Sequence, residues 1–297
     1  MFYIIALIGF FIALISPGLG GLFLITALGK YFLENQQRTN HFFVGWLVLC
    51  GGLYLLNQLD KIQALNVMIG TGLSCFLLFV MIKKEYGLNL IFMILLLLNS
   101  AYIALRQLLF YNEINTQYNE AVDEAVKLVS TRFQENSEQY QVFIEITDLM
   151  RNFYLQYSPG VWIATIMLCL TIGYFSFARK REELHSLSEY QTDVFVVYSL
   201  VIALIVALFT DYKLYAVNYL IALSPLFLMQ GIGVVNNKIG KWFLNSKILI
   251  AVAILSMIIN PYIVLFISAL GLFDCWFDFR NLNKPEDLNE NHSNRND

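Results

Sequence analysis

Long runs of apolar residues, separated by short polar segments, alternate along most of this chain. The clearest runs lie at about 42–58, 63–82, 86–111, 159–178, 192–210 and 213–236. Their lengths are close to the roughly 20 residues that an α-helix needs to cross the hydrocarbon core of a bilayer. The pattern therefore predicts an all-α fold, a polytopic bundle of transmembrane helices.

The first apolar stretch is too long for one ordinary span, and Ser16-Pro17-Gly18 interrupts it. Serine is a good helix N-cap and proline suits the first helical position. The interruption therefore predicts a short helix at 2–16 and a second helix at 18–33. A re-entrant hairpin is the alternative for the short first helix.

The last apolar stretch, 248–277, is also too long, and Asn260-Pro261 lies near its middle. It forms either one kinked span or two half-helices, because proline is tolerated in membrane helices. The predicted total is about nine spans, with eight to ten as the range.

A single long polar segment, 112–157, separates the two halves of the predicted bundle. Its apolar residues recur at helical spacing on both sides of Glu135-Asn136-Ser137, which predicts two amphipathic helices outside the membrane. Asn136 and Gln139 fit a capping box at the start of the second. The predicted organisation is a membrane half at 1–111, this helical pair, a second membrane half at 158–280 and a disordered polar tail at 281–297.

The basic residues predict which way the bundle faces. If the helices alternate in direction, four basic clusters fall on one side: Lys30 with Arg38, Lys83 with Lys84, Arg179 to Arg181, and Lys238 with Lys241 and Lys247. That side is expected to be cytoplasmic, together with the N-terminus. Trp46, Trp162, Trp242 and Trp276 lie near predicted helix ends, as interface anchors do.

This topology predicts that Ser186 faces the cytoplasm. A cysteine placed at Ser186 in a cysteine-free background should stay unlabelled when intact cells meet a membrane-impermeant reagent. A cysteine at Asn119, in the predicted outer segment, should react. Rapid labelling at Ser186 would show that the orientation is wrong.

Composition agrees with the membrane assignment and excludes several classes of function. Apolar residues make up 58% of the chain and charged residues 14%, against about 25% charged in soluble proteins. The net charge of −3 and the lack of a basic, aromatic-rich cluster argue against a nucleic-acid partner. The four cysteines and three histidines are scattered, so neither a metal site nor a disulfide framework is expected. No cofactor is predicted.

Several polar residues lie inside the apolar runs. They could line a solute cavity, or they could bond to neighbouring helices. They are Asn99, Arg106, Asn218, Gln230 and Asn260. Arg106 is the one charge among them. It is either a functional charge within the membrane or a side chain that reaches outward to the interface.

Small residues on the first helix, Ala6, Gly9 and Ala13, share one face. Such a face lets helices approach closely, either within the bundle, which is the favoured interpretation, or against a partner subunit. Ser16-Pro17-Gly18 recurs as Ser158-Pro159-Gly160. The recurrence is interpreted as two helix starts with the same cap chemistry rather than as an internal repeat.

The densest polar cluster near a predicted membrane boundary contains Asp274, Asp278 and Arg280. Asp274 and Asp278 are four residues apart and would share a helix face. Arg280 follows the apolar run and Trp276, so it is expected to contact phosphate headgroups or an acidic group of a partner. The alternative is that these charges only end the helix and are solvated. On a continuous helix Arg280 would point away from Asp278, so an internal pair is expected only if the helix ends between them. No nucleophile or phosphate-binding loop accompanies the pair, so an enzyme is not predicted.

This ending, Leu270-Gly271-Leu272-Phe273-Asp274-Cys275-Trp276-Phe277-Asp278-Phe279-Arg280, resembles the closing motif of the YybS-like family of uncharacterised bacterial membrane proteins. The segment from Asn218 to Gln230-Gly231 is similar to the family's penultimate conserved region. The resemblance implies a multi-pass protein of the bacterial cytoplasmic membrane.

That family in turn resembles the S components of energy-coupling-factor transporters. The resemblance implies capture of a small-molecule solute and docking on a membrane coupling subunit, with Gly9 and Ala13 as the loose counterpart of the docking face. No Walker sequence is present, so the expected function is a solute-binding or transport-related subunit without its own ATPase. The alternative is a non-transporting membrane scaffold or assembly factor that acts through helix packing.

Overall fold

The structure is a computed structural model that describes residues 2–131, 137–179, 181, 184–209, 211–239 and 260–282. All regular elements in these ranges are helical, which confirms the predicted all-α fold. The elements are α1 (Phe2–Ile15), α2 (Pro17–Glu34), α3 (Gln36–Leu55), α4 (Lys61–Leu65), the π-helix π1 (Asn66–Leu73), α5 (Ser74–Lys83), α6 (Leu88–Ser130), α7 (Glu138–Ala178), α8 (Val194–Phe209), α9 (Lys213–Ile239) and α10 (Pro261–Phe277).

Within the described ranges, four helical segments are long and apolar enough to cross a membrane. They are Lys61–Lys83, Leu88–Ser130, Glu138–Ala178 and Lys213–Lys238. Shorter apolar helices cover Phe2–Ile15, Val194–Phe209 and Tyr262–Phe277. On α8, Phe195, Leu208 and Phe209 are largely exposed. Apolar surface on this scale is what lipid covers in a membrane protein.

The break between α1 and α2 lies where the sequence predicts it. Ser16 adopts an extended conformation and accepts a hydrogen bond from the Leu19 N–H, and Pro17 occupies the first turn of α2. Side chains of α4 and π1 donate hydrogen bonds to two carbonyl oxygens at the break. Gln63 Nε2 donates to Leu14 O, and Thr71 Oγ1 donates to Pro17 O. These bonds matter because an unpaired carbonyl is costly where water is scarce.

The small-residue face of α1 packs against α2. A Cβ on Gly9 would overlap the Leu24 side chain, and a Cβ on Gly20 would meet the backbone of Ala13. Ala13 is fully buried, and Ala6 is half-buried. The structure therefore favours packing within the chain over docking of a partner on this face.

Glycines also bring α2 close to α7. A Cβ on Gly18 would lie 3.3 Å from the carbonyl oxygen of Thr165, and one on Gly29 would lie 2.8 Å from the Phe177 ring. From the other side, a Cβ on Gly173 would lie 3.2 Å from Ile25 Cβ. Small residues of this kind allow membrane helices to approach closely. α2 and α7 are therefore packed closely against each other.

The outer helical segments are continuous with membrane helices. α6 runs to Ser130 with non-helical backbone angles at Phe110, and α7 starts at Glu138 and continues to Ala178. The segments before Ser130 and after Ser137 contact each other through stacked Tyr118 and Tyr154 rings, 3.8 Å between centroids, and through an Arg151–Asp123 ion pair. We call this part, residues 112–130 and 138–157, the outer hairpin.

Two predicted helix starts are wrong. Ser137, rather than Asn136, caps α7 by accepting a hydrogen bond from the Tyr140 N–H; Asn136 itself lies outside the described residues. Ser158-Pro159-Gly160 lies inside α7, so it does not begin a helix as Ser16-Pro17-Gly18 does. Sequence alone could not show that the two Ser-Pro-Gly motifs differ. At the second motif, Asn218 of another helix bonds the backbone groups that Pro159 leaves unpaired.

Asn260 excludes a single helix kinked at Pro261 but leaves the preceding half-helix untested. Its backbone is extended, and its side chain accepts a hydrogen bond from the Tyr262 N–H, so α10 begins here as a separate helix. Residues 240–259, where the preceding half-helix was predicted, lie outside the described residues. So does the predicted disordered tail from position 283 onward.

The chain divides into two compact units. The larger contains Met1–Ser186 and Asp193–Leu226, and the smaller contains Leu187–Thr192 and Phe227–Asp297. Each unit contains one of the two sites described next.

Candidate functional site

The π-helix π1 positions the first polar group of a cavity in the larger unit. Two backbone carbonyl oxygens of π1 accept hydrogen bonds from side chains. Trp46 Nε1 donates to Val67 O, and Ser74 Oγ donates to Ile69 O. Asn66 stands at the start of π1. Its side-chain oxygen accepts hydrogen bonds from Tyr102 OH at 2.6 Å and from Arg106 Nη1 at 3.1 Å. Short π-helical turns are frequent at functional sites.

Arg106 is a buried cation with unused donors. Its exposed fraction is 6%, so the alternative that it reaches outward to the interface is wrong. Its guanidinium lies over the Trp162 ring, with Cζ 5.5 Å from the ring centroid. That distance is within cation–π range. The buried Nε–H has no hydrogen-bond partner, although a guanidinium carries five donors.

These groups face a cavity of about 320 Å³. Ser16, Pro17 and Gly18 form one wall at the start of α2, and Asn66 and Arg106 form another. The remaining wall belongs to α7 and contains Phe153, Tyr154, Ser158, Val161, Trp162, Thr165 and Ile166. Both Ser-Pro-Gly motifs therefore contribute to one cavity. The volume is at the lower end of the range for small-molecule sites, about 300–1,000 Å³.

Arg106 is the only one of the five predicted cavity residues in this lining. Asn99 is fully buried and donates to Ser74 Oγ and Leu95 O, which ties α6 to α5. Asn260 caps α10, and Gln230 belongs to the smaller unit. In the structure, these residues form hydrogen bonds within and between helices and do not line the cavity.

Asn218 repairs the break that Pro159 makes in α7. Its side-chain oxygen accepts from the Gly160 N–H at 2.8 Å, and its amide nitrogen donates to Gln156 O at 2.8 Å. These two backbone groups would pair with each other in an undisturbed helix. The side chain of Asn218 is inserted between them, which explains how the helix passes through Pro159.

Replacing Asn218 with leucine should destabilise the protein by about 1–3 kcal/mol, because it leaves a buried N–H and a carbonyl without partners. Leucine has the same number of side-chain heavy atoms and the same branch at Cγ but no hydrogen-bonding groups, so the loss reports mainly on hydrogen bonding. The measurement is unfolding by SDS in mixed micelles. Asn152→Leu, at an exposed position of the same helix, is the control and should change stability little. Equal effects of the two variants would contradict the bridging role.

The smaller unit contains a buried polar cluster around Asp274, whose Oδ1 has no hydrogen-bond partner. Arg280 donates to Asp274 Oδ2 from Nε at 2.9 Å and from Nη2 at 2.6 Å, and Gln230 Nε2 donates to the same oxygen at 3.0 Å. Arg280 Nη1 also donates to Ser188 O, and Gln230 Oε1 accepts from the Thr192 N–H. We call these five residues the Asp274 cluster. It holds the segment 187–192 against the end of α10.

The ending therefore differs from its prediction. α10 ends at Phe277, and Asp278 has a left-handed backbone with φ of 43°, so Asp274 and Asp278 do not share a helix face. This reversal brings Arg280 back onto Asp274, where both side chains are at most 1% exposed. Arg280 is therefore paired within the chain, with Asp274 and with Ser188 O. Burial raises the pKa of nearby Tyr190, which keeps its phenol neutral.

Two of the tryptophans predicted as interface anchors have other roles. Trp46 is buried and bonds Val67 O, and Trp162 is a wall of the cavity. Trp276 is exposed, as an anchor would be, and Trp242 lies outside the described residues. Asn66, Tyr102 and Trp162 are the site residues that the sequence interpretation missed. They are identified as site residues only by their contacts around Arg106 in the folded chain.

Within the described part of the chain, no group of three or more histidine, cysteine or acidic side chains is placed to hold a metal ion. The four cysteines, all in described ranges, are unpaired thiols.

Residues 3–275 match the family described as predicted membrane protein DUF2232. The chain belongs to this family. The matched residues include the whole lining of the cavity and every residue of the Asp274 cluster except Arg280. No curated protein and no solved structure matches the chain.

Proposed function

We propose that this DUF2232 protein is a membrane-embedded solute-binding subunit that serves transport without an ATPase of its own. The observation that carries the proposal is the cavity of about 320 Å³ between α2, π1, α6 and α7. Its walls combine aromatic and aliphatic surface with a few convergent polar groups. That combination is typical of small-molecule sites.

The resemblance to S components supports solute capture and suggests a partner subunit that supplies energy. Contact with such a subunit would not use the Gly9 and Ala13 face, because α2 of the same chain covers it. The strongly exposed apolar side of α8, with Phe195 and Phe209, is a more suitable surface for a membrane partner or lipid.

A scaffold or assembly factor is the second candidate, and two observations favour it. The core is filled by apolar side chains such as Phe10, Phe79 and Phe92. The outer hairpin also exposes an apolar stripe at Val142, Ile146, Leu149 and Phe153, each about half exposed or more. Their spacing places them on one side of α7, as a docking helix would present them.

The two functions are distinguished by what co-purifies with the protein in mild detergent. Under the solute-binding proposal, the wild-type protein carries a defined set of small molecules, identified by mass spectrometry after extraction. Thr165→Phe, which fills the cavity from α7, should reduce their amount about tenfold.

Thr26→Phe is the matched control. Thr26 is also exposed on its helix, and its hydroxyl also bonds the carbonyl four residues earlier, but it does not line the cavity. It should leave the bound molecules unchanged. Partner proteins that co-purify without any solute, and that are lost in Ile146→Ser with Leu149→Ser, would instead establish the scaffold.

A further inference from the structure

We infer that the cavity binds the oxyanion of a phosphate group, held by Arg106 and the start of α2. The inference rests on the proposed function and specifies the chemical class of the ligand. It follows from charge, from unused hydrogen-bond donors and from the position of a helix terminus.

The first argument is that Arg106 has no counter-ion. Among the described residues that line the cavity, none is an acid, and Arg106 is the one charged residue. Its protein acceptor is the neutral Asn66 side chain, which it shares with Tyr102. Glu113, on the same helix as Arg106, pairs with Lys61, and Asp60 caps α4. A buried charge is normally paired, so the site is incomplete without an anion.

The second argument is the geometry of the donors. The Nε–H of Arg106 is buried and unpartnered, Nη1 is held by Asn66, and the guanidinium lies over the Trp162 ring. A fixed, planar guanidinium suits the paired oxygens of a carboxylate or phosphate. The remaining donors are therefore oriented before the ligand arrives.

The third argument is the start of α2, which contributes Pro17 and Gly18 to the same cavity. α2 is an 18-residue helix, and the positive end of its dipole lies at this terminus. Exposed backbone at a helix N-terminus favours anions. Gly18 is itself buried, and α7 packs too closely there for a larger residue to fit easily. Pro17 has no N–H and Ser16 caps that of Leu19, so this terminus contributes mainly through its dipole.

The rest of the lining describes the body attached to the anion. Phe153, Tyr154 and Trp162 provide aromatic surface, while Ser16 and Ser158 provide hydroxyls. The oxyanion could belong to a free solute or to the headgroup of a lipid, and both carry the same chemistry.

Binding is tested on the full-length protein in detergent with two probes, inorganic phosphate and dihexanoyl-phosphatidylglycerol, by equilibrium dialysis. Saturable binding of phosphate would identify a free anion, and binding of the short-chain lipid alone would identify a headgroup. In either case Arg106→Gln should weaken binding by about tenfold to a hundredfold, since it removes charge-assisted hydrogen bonds.

Arg106→Lys retains the charge without the planar fork and should give an intermediate loss; it also serves if Arg106→Gln does not fold. Arg151→Gln, a half-exposed arginine paired with Asp123, is the control and should bind like wild type. If neither probe binds, or if binding is equal in wild type and both Arg106 variants, the anion assignment is overturned. Loss of co-purified neutral solute in Thr165→Phe alone would then leave the proposed function standing, whereas no effect of Thr165→Phe would remove both.

Discussion

Replacement of Asp274 by alanine should destabilise the protein by about 3–5 kcal/mol, the cost of leaving a buried partner charge uncompensated. Arg280 would keep its charge, with a fully buried side chain and only the Ser188 carbonyl as acceptor. Gln230 would lose an acceptor as well. The measurement is the free energy of unfolding by SDS in mixed micelles. We expect the same variant to release the segment 187–192, detected as faster hydrogen exchange there.

The exposed ion pair between Lys61 and Glu113 is the matched control. Its N–O distance of 2.7 Å is close to the 2.6 Å of the Arg280–Asp274 pair, but its side chains are 44% and 46% exposed. Glu113→Ala should therefore cost at most about 1 kcal/mol. The double variant Asp274→Leu with Arg280→Met should be more stable than either single variant, because it removes both charges. Equal losses in Asp274→Ala and Glu113→Ala would contradict the role assigned to burial.

The second large effect is expected at Gly271, where α10 crosses α9. A Cβ at this position would overlap the carbonyl oxygen of Phe227, and a Cβ on Gly231 would overlap the carbonyl oxygen of Ile267. The overlapping atoms are backbone, so they cannot move aside as a side chain can. Gly271→Ala should cost about 3 kcal/mol, the upper part of the range for overpacking, measured by the same unfolding assay.

Gly51 provides the control for this prediction. It lies inside α3, and nothing lies within 4 Å of the place where its Cβ would be. Gly51→Ala should be neutral or should stabilise the protein by up to about 1 kcal/mol, because alanine favours the helix. If Gly271→Ala is tolerated as well as Gly51→Ala, α9 and α10 are not in close backbone contact.

The Asp274 cluster and the Arg106 cavity illustrate two uses of a buried arginine. Arg280 has two bonds to a carboxylate and one to a carbonyl, so its charge is compensated within the chain. Arg106 has one bond to a neutral amide oxygen, one aromatic face and an unpartnered Nε–H. The first arrangement is expected to stabilise the local fold. The second leaves capacity for a ligand, and this difference is why the proposals concern Arg106.

Part of the site could be predicted from the sequence. Arg106 stands out because a charge within an apolar helix is costly and is retained for a reason. Its partners could not be identified in the same way, since Asn66 is 40 positions away and Trp162 is 56 positions away on a different helix. Asn99, Asn218 and Asn260 are also polar residues within apolar runs, but in the structure they form hydrogen bonds with backbone and side-chain groups.

The sequence by itself determined the membrane fold and the starts of two helices, at Ser16 and at Asn260. Lipid must cover a surplus of apolar residues, and a serine or asparagine before proline caps a helix through contacts with its own next turn, as at Ser16 and Asn260. Only the tertiary structure decided that Ser158-Pro159-Gly160 continues a helix, that Arg280 turns back onto Asp274, and that Arg106 lacks a counter-ion. Each of these depends on a side chain distant in sequence or on a backbone reversal. Helical periodicity describes neither, because it reports which residues share a face and not what that face meets.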